Sequence, residues 1–218
     1  MYQKTKTKIQ NDITANQQND KAIEIEINDD FQIALEMIIN KKKNVFITGN
    51  AGTGKSTFLK LLKDRFSKNL VILAPTGKAA LNCSGQTIHS FFNFPFGLLA
   101  EDKIHKHRNP DKFIALDLLI IDEVSMVRAD LMDAVDISLR KNRNNDNPFG
   151  GVQIVLIGDL LQLPPVVKEA ELHEYFNFVY ETPFFFSANV FQKLSVDIIE
   201  FKKIYRQNDP GFIKLLNR

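Results

Sequence analysis

The sequence predicts a doubly wound α/β domain built on a parallel sheet, and three features carry that expectation. Short aliphatic runs recur at Val45 to Ile47, Leu70 to Ala74, Leu118 to Ile121 and Ile154 to Ile157. They are continuous rather than alternating, as befits strands covered on both faces. Helical patterns stand between them, the alternation that gives strand–helix–strand units with parallel strands. Each run also ends in small or polar residues, which gathers chemistry at the carboxyl ends of the strands, where open sheets bind ligands.

Taken in order, residues 1–22 are rich in Lys, Asn, Gln, Thr and Asp without apolar periodicity, and are expected to form a disordered tail. Ile23 to Asn28 alternates like a strand, and Asn28-Asp29-Asp30 reads as a helix cap. Phe31, Leu35, Ile38 and Ile39 then form one apolar stripe. Lys41-Lys42-Lys43 follow, suited to the carbonyl end of that helix. After the first aliphatic run and a glycine-rich loop, Phe58, Leu62 and Phe66 recur at i+4 spacing. Further helices are expected over Gly77 to Asn82 and over Ala129 to Lys141, where Leu131, Val135 and Leu139 share a face. Phe94 to Phe113, with Pro95, Gly97, Lys103, Lys106 and Arg108, reads as an irregular surface insertion.

Composition sets outer bounds. A chain of 218 residues holds one full-sized domain, or one domain and part of another. No apolar run is long enough to cross a membrane and no signal-peptide pattern opens the chain. With 28 basic against 26 acidic residues, bulk charge does not argue for a nucleic-acid partner, so any such case rests on local sites. The lone Cys83 excludes an internal disulfide and points to a reducing, cytoplasmic setting.

The densest signal is Gly49-Asn50-Ala51-Gly52-Thr53-Gly54-Lys55-Ser56-Thr57, which holds the full phosphate-loop pattern between an aliphatic run and a helix. Its glycines let successive backbone N–H groups turn inward on phosphate oxygens. The helix that follows adds its unpaired N–H donors and positive dipole end. Lys55 can reach the β and γ phosphates of a bound nucleoside triphosphate, and the Ser56 hydroxyl can ligate Mg²⁺. Asp122 closes the third aliphatic run, where a carboxylate can hold Mg²⁺ opposite Ser56, and Glu123 can orient or deprotonate an attacking water. The alternative for both is a helix-capping role. Gln162, after the fourth run, either contacts the γ-phosphate or the water, or sits in a loop stiffened by Pro164 and Pro165.

Six segments occur in a fixed order: GNAGTGKST, LAPTGKAA (Leu73 to Ala80), TIHSFF (Thr87 to Phe92), LLIIDEVSM (Leu118 to Met126), GDLLQLPPV (Gly158 to Val166) and YRQNDPGFIKLLN (Tyr205 to Asn217). This series resembles the superfamily 1 DNA helicases of the petite-integration-frequency (Pif-type) and RecD-like group. FGGVQ and VRADLMDAVD are similar to bacterial members in particular. The resemblance implies a RecA-like phosphate-loop fold, ATP and Mg²⁺ as cofactors, single-stranded DNA as partner, 5′→3′ translocation and a monomeric enzyme. It implies a first motor domain over residues 23–200 and the start of a second, cut short, over residues 201–218.

Residue by residue, the resemblance makes Gln32 the adenine contact and Arg206 the arginine that reaches the γ-phosphate from the facing motor domain. It places Thr76, His89, Ser90 and Phe92 along a single-strand track, hydroxyls on phosphates and an aromatic ring on a base. Against these stand a solvent-facing Gln32, a surface Arg206 and a structural His89. A function of another class is a non-motor phosphate-loop ATPase that answers to a protein partner. DNA-stimulated hydrolysis separates the two.

Overall fold

The computed structural model describes residues 28–167 and 170–204. Residues 1–22, almost all of the Ile23 to Asn28 run and the segment carrying Arg206 lie outside the described residues. Helix α1 spans Asp29–Leu35 and continues as a π-helical turn over Glu36–Asn40. Asn28 caps it, its side-chain oxygen accepting from the Phe31 N–H at 2.8 Å. The expected apolar stripe is its inward face, with Phe31, Leu35 and Ile38 buried.

Six strands follow: β1 (Val45–Thr48), β2 (Leu70–Ala74), β3 (Gln86–Thr87), β4 (Leu118–Ile121), β5 (Gln153–Ile157) and β6 (Asp197–Glu200). They lie in the order β3-β2-β4-β5-β1-β6, every pairing parallel. The four aliphatic runs are the four inner strands. The short outer strands β3 and β6 were not expected from the sequence. Successive residues of a strand point to opposite faces, and the core divides accordingly. Leu118 and Ile120 join Val45, Ile47, Val155 and Ile157 under α1 and α2 (Lys55–Arg65), while Leu119 and Ile121 join Phe46 and Leu156 on the other face. The sheet is thus wound on both sides, as the continuous runs predict.

The expected helix over Gly77 to Asn82 is α3 (Gly77–Asn82), and α4 is a short turn over Ile88–Phe92. The segment from Phe94 to Phe113 is more than a surface insertion. It carries a 3₁₀ turn at Glu101–Lys103 and leads into α5 (Asp111–Ile114), and it buries Leu99, Ile104 and Phe113 in the core. The helix α6 (Ala129–Arg143) buries Leu131, Val135 and Leu139 as expected, and also three carboxylates. Asp130 accepts the Leu99 N–H at 3.0 Å, Asp133 those of Asn189 and Val190 at 3.1 and 3.0 Å, and Asp136 that of Phe149 at 2.6 Å. A buried carboxylate is retained only when its lone pairs are met, and here each is met by the backbone of a separate loop. The chain then passes through α7 (Ala170–Val179) before reaching β6.

Candidate functional site

The phosphate loop leaves β1 and turns through Gly49, Gly52 and Gly54, whose φ values are +147°, +87° and +89°. Gly49 leaves no room for a side chain: a Cβ there would lie 2.5 Å from the carbonyl oxygen of Phe201 and 2.9 Å from Thr53 Oγ1. The Thr53 hydroxyl, buried, donates to the Asn50 carbonyl at 2.9 Å and ties the loop to itself. Lys55 Nζ donates to the carbonyls of Gly49 and Asn50, the latter at 3.1 Å, so the ammonium lies within the loop's own curve. The first turn of α2 carries no acidic residue, and Gly54 precedes it in the left-handed conformation. Its N–H donors and positive end face the loop, and the helix's own first turn sets no carboxylate against them.

On the far side of β5, β4 ends in Asp122, whose N–H donates to the Leu73 carbonyl at 2.8 Å. Asp122 accepts the Glu123 N–H at 3.0 Å. Burial, aided by the Glu123 charge, lifts its carboxyl to about 6 against the pull of that N–H and of Lys55. Glu123 sits at φ +52°, a backbone conformation that non-glycine residues adopt at a cost of roughly 1–3 kcal/mol and that clusters at functional sites. Ser56, Asp122 and Glu123 line one cavity of about 100 Å³, together with Lys60, Lys63 and Cys83. The residues singled out in the sequence for metal and water are therefore side by side. A hydroxyl and a desolvated carboxylate are hard oxygen donors, and they fit Mg²⁺.

Between β1 and β4 lies β5, so the loop after it opens at the same end of the sheet. Gly158 packs against Val124, where a Cβ would come within 2.9 Å of the valine side chain. Gln162 is exposed, and its Nε2 donates to Asp159 at 2.8 Å while its N–H donates to the Asp159 carbonyl at 3.0 Å. Asp159 is buried and fixes both ends of Gln162, a positioning role that the sequence reading did not assign. The spacing Asp159-x-x-Gln162, one turn apart, was the available signal. Gln32 lies exposed on the first turn of α1. Its neighbour Phe31 holds that turn against Phe58 of α2, ring centroids 5.3 Å apart.

A second region lies at the carboxyl ends of β2 and β3. Thr76 caps α3, its hydroxyl oxygen accepting from Ala79 at 3.2 Å. His89 is half-buried, Ser90 exposed, and both line an open groove of about 490 Å³ with Pro75, Gly77, Thr87 and Phe96. Phe92 does not belong there. It is 1 % exposed and packed among Phe91, Phe94 and Phe113, so no face of its ring is free for a base. The exposed aromatic is Phe96, missed because its surroundings read only as an irregular loop. A phenylalanine between Pro95 and Gly97, in a turn that hides nothing, was the signal.

Residues 24–213 match the family model described as PIF1-like helicase. The chain is 36% identical over 193 residues to the ATP-dependent DNA helicase RRM3 of Saccharomyces cerevisiae, covering 84% of this chain and 26% of that protein. It is 38% identical over 186 residues to the ATP-dependent DNA helicase PIF1 of the same species, covering 80% and 21%. Among solved structures it is similar to Pif1 helicase from Bacteroides in complex with ADP-AlF3 and single-stranded DNA, with a TM-score of 0.84 at 41% identity over 89% of this chain and 46% of that one. The chain thus spans roughly a quarter of these curated relatives and just under half of the solved chain. Matched by the model over nearly its whole length, with a parallel sheet that superposes on a solved member, this chain belongs to the PIF1-like helicase family.

Proposed function

We propose that this chain forms the ATP-binding motor domain of a DNA helicase, with residues 23–200 as that domain and residues 201–218 leading into a second. The observation that carries the reading is the shared cavity of Ser56, Asp122 and Glu123 beside a phosphate loop of left-handed glycines. The loop's N–H groups and Lys55 hold the triphosphate, Lys55 exchanging the carbonyls of Gly49 and Asn50 for phosphate oxygens. Ser56 and Asp122 hold Mg²⁺, which when bound offsets phosphate charge. Glu123 takes the proton of the attacking water, and Gln162, steadied by Asp159, reports on the γ-phosphate. Arg206 stabilises charge in the transition state from the facing domain, and Gln32 pairs with the adenine edge.

Single-stranded DNA lies across the groove at His89 and Ser90, and hydrolysis drives translocation 5′→3′ by a monomeric, cytoplasmic enzyme. The solved relative whose structure contains ADP-AlF3 and single-stranded DNA supports both ligands. The test is ATP hydrolysis by the full-length protein, with and without single-stranded DNA, beside its Lys55→Ala variant. Stimulation by the strand, and loss of turnover in the variant, are expected. Turnover indifferent to DNA, or retained without Lys55, overturns the proposal. Residues 1–218 alone are expected to bind ATP with Mg²⁺, hydrolyse it slowly and not unwind duplex.

A further inference from the structure

The cavity that holds Ser56, Asp122 and Glu123 does not end with them. Its outer part is walled by Lys60 and Lys63 of α2 and by Asn82 and Ser84 at the end of α3. Ser56, Leu59, Lys60 and Lys63 are spaced i, i+3, i+4 and i+7, so one stripe of α2 runs along the cavity from the hydroxyl to the second ammonium. At 1.5 Å of rise per residue that stripe is about 10 Å long. Both lysines are exposed, which puts the cationic end at the cavity's mouth, and neither forms an ion pair among the described residues. The Cys83 thiol, in the same cavity, feels both ends. Burial and then Asp122 push its pKa up, and Lys63 pulls it down.

Two carboxylates at the inner end and two ammonium groups at the mouth make a gradient that drives an anion outward. Leu59 and Ile72, both buried, form an apolar side to this path and keep water from screening it fully. Asn82 and Ser84 add an amide and a hydroxyl, donors suited to an oxyanion. One water needs about 10–15 Å³ of such space, so the cavity's 100 Å³ admits a tetrahedral anion and is too small for a nucleoside. We propose that this outer half is the exit by which orthophosphate leaves after hydrolysis, with Lys60 and Lys63 as its guiding cations. The inference rests on the ATP-hydrolysing reading above and adds to it a route for the product. Standing about one and two turns beyond Ser56, the two lysines serve the departing anion rather than the bond that breaks.

The test separates bond cleavage from release in single turnovers of the full-length protein with ATP, Mg²⁺ and single-stranded DNA. Cleavage is read by acid quench, and free orthophosphate by a fluorescent phosphate-binding protein. The double variant Lys60→Gln/Lys63→Gln is expected to cleave at the unsubstituted rate and to release orthophosphate about tenfold more slowly, the low end of what steering fields give. Lys60→Arg/Lys63→Arg keeps both charges and should release as the unsubstituted protein does. A second readout needs no turnover. In the ADP-bound protein, orthophosphate should slow alkylation of Cys83, followed on its peptide by mass spectrometry, and should not do so in the glutamine variant. Unchanged release by the glutamine variant, slowing of cleavage and release together, or no protection of Cys83 overturns the exit alone. Absence of cleavage by the unsubstituted protein overturns the hydrolysis reading and the exit with it.

Discussion

Replacing Gly49 by alanine tests how tightly the phosphate loop is held to the end of β6. The new methyl would stand 2.5 Å from the Phe201 carbonyl oxygen and would need to reach about 3.4 Å for ordinary contact, a retreat of about 0.9 Å. That carbonyl has little room to give. The Phe201 N–H donates to Thr48 at 2.8 Å, and its ring is packed against Phe31 and Phe58 at 4.9 and 5.3 Å. Breaking the β1–β6 bond costs about 0.5–1.5 kcal/mol, and holding alanine at φ +147° adds about 1–3 kcal/mol. A total near 2–4 kcal/mol corresponds to a fall of about 6–12 °C in Tm for a domain of this size. Thermal unfolding should be compared with Gly77→Ala, where a Cβ meets nothing within 4 Å and no loss is expected. Triphosphate affinity should fall with Gly49→Ala as well, since the loop and the start of α2 must move together. Tm values for the two variants within a degree of each other would refute the argument.

Glu123→Gln should keep nucleotide affinity while turnover drops by about a hundredfold to ten-thousandfold, the share of a general base; equal loss of binding would make Glu123 structural. Phe92→Ala should destabilise by about 3–5 kcal/mol in denaturant unfolding, because it empties a fully buried ring site, whereas Phe96→Ala should change stability little. A mild effect at Phe92 would contradict its burial. Asp122 binds its proton more tightly folded than unfolded, so its contribution to stability is full below about pH 4 and is lost as pH rises through about 6. In EDTA, Asp122→Asn should therefore gain up to about 3 kcal/mol over the unsubstituted protein at pH 7.5 and nothing at pH 3.5, and a gap independent of pH would refute this.

The inner sheet was legible because burial on both faces leaves a mark that burial on one does not. Val45 to Ile47, Leu70 to Ala74, Leu118 to Ile121 and Ile154 to Ile157 are apolar at every position. By contrast β6 is Asp197-Ile198-Ile199-Glu200 at an edge with Ile198 71% exposed, and β3 is two residues long; neither length nor pattern sets them apart. The strand order was equally hidden, since each parallel pairing is made by residues distant in the chain. Local chemistry was easier: the glycine loop and the Asp122-Glu123 pair depend on near neighbours and on strand ends. Phe92 was misplaced because a cluster of Phe91, Phe92, Phe94 and Phe96 does not declare which ring faces inward. The burial of the α6 acids was hidden, because spacing alone does not reveal that loops fold over them.

Those three acids have a further consequence. Asp130, Asp133 and Asp136 grip their loops by backbone N–H groups, at Leu99, at Asn189 and Val190, and at Phe149. Any residue except proline offers that handle, so the grip is indifferent to what the loop displays outward. Side chains on the stretch between Phe94 and Phe113 are in this respect interchangeable parts, seated by α6 and read by whatever lies outside. The outward surface of that stretch can therefore be exchanged without retuning the sheet, provided the graft returns a main-chain donor to Asp130 and apolar anchors where Leu99, Ile104 and Phe113 enter the core. Of the three carboxylates, Asp130 does this for the 94–113 stretch, while Asp133 and Asp136 do it for the loops at Asn189 and at Phe149.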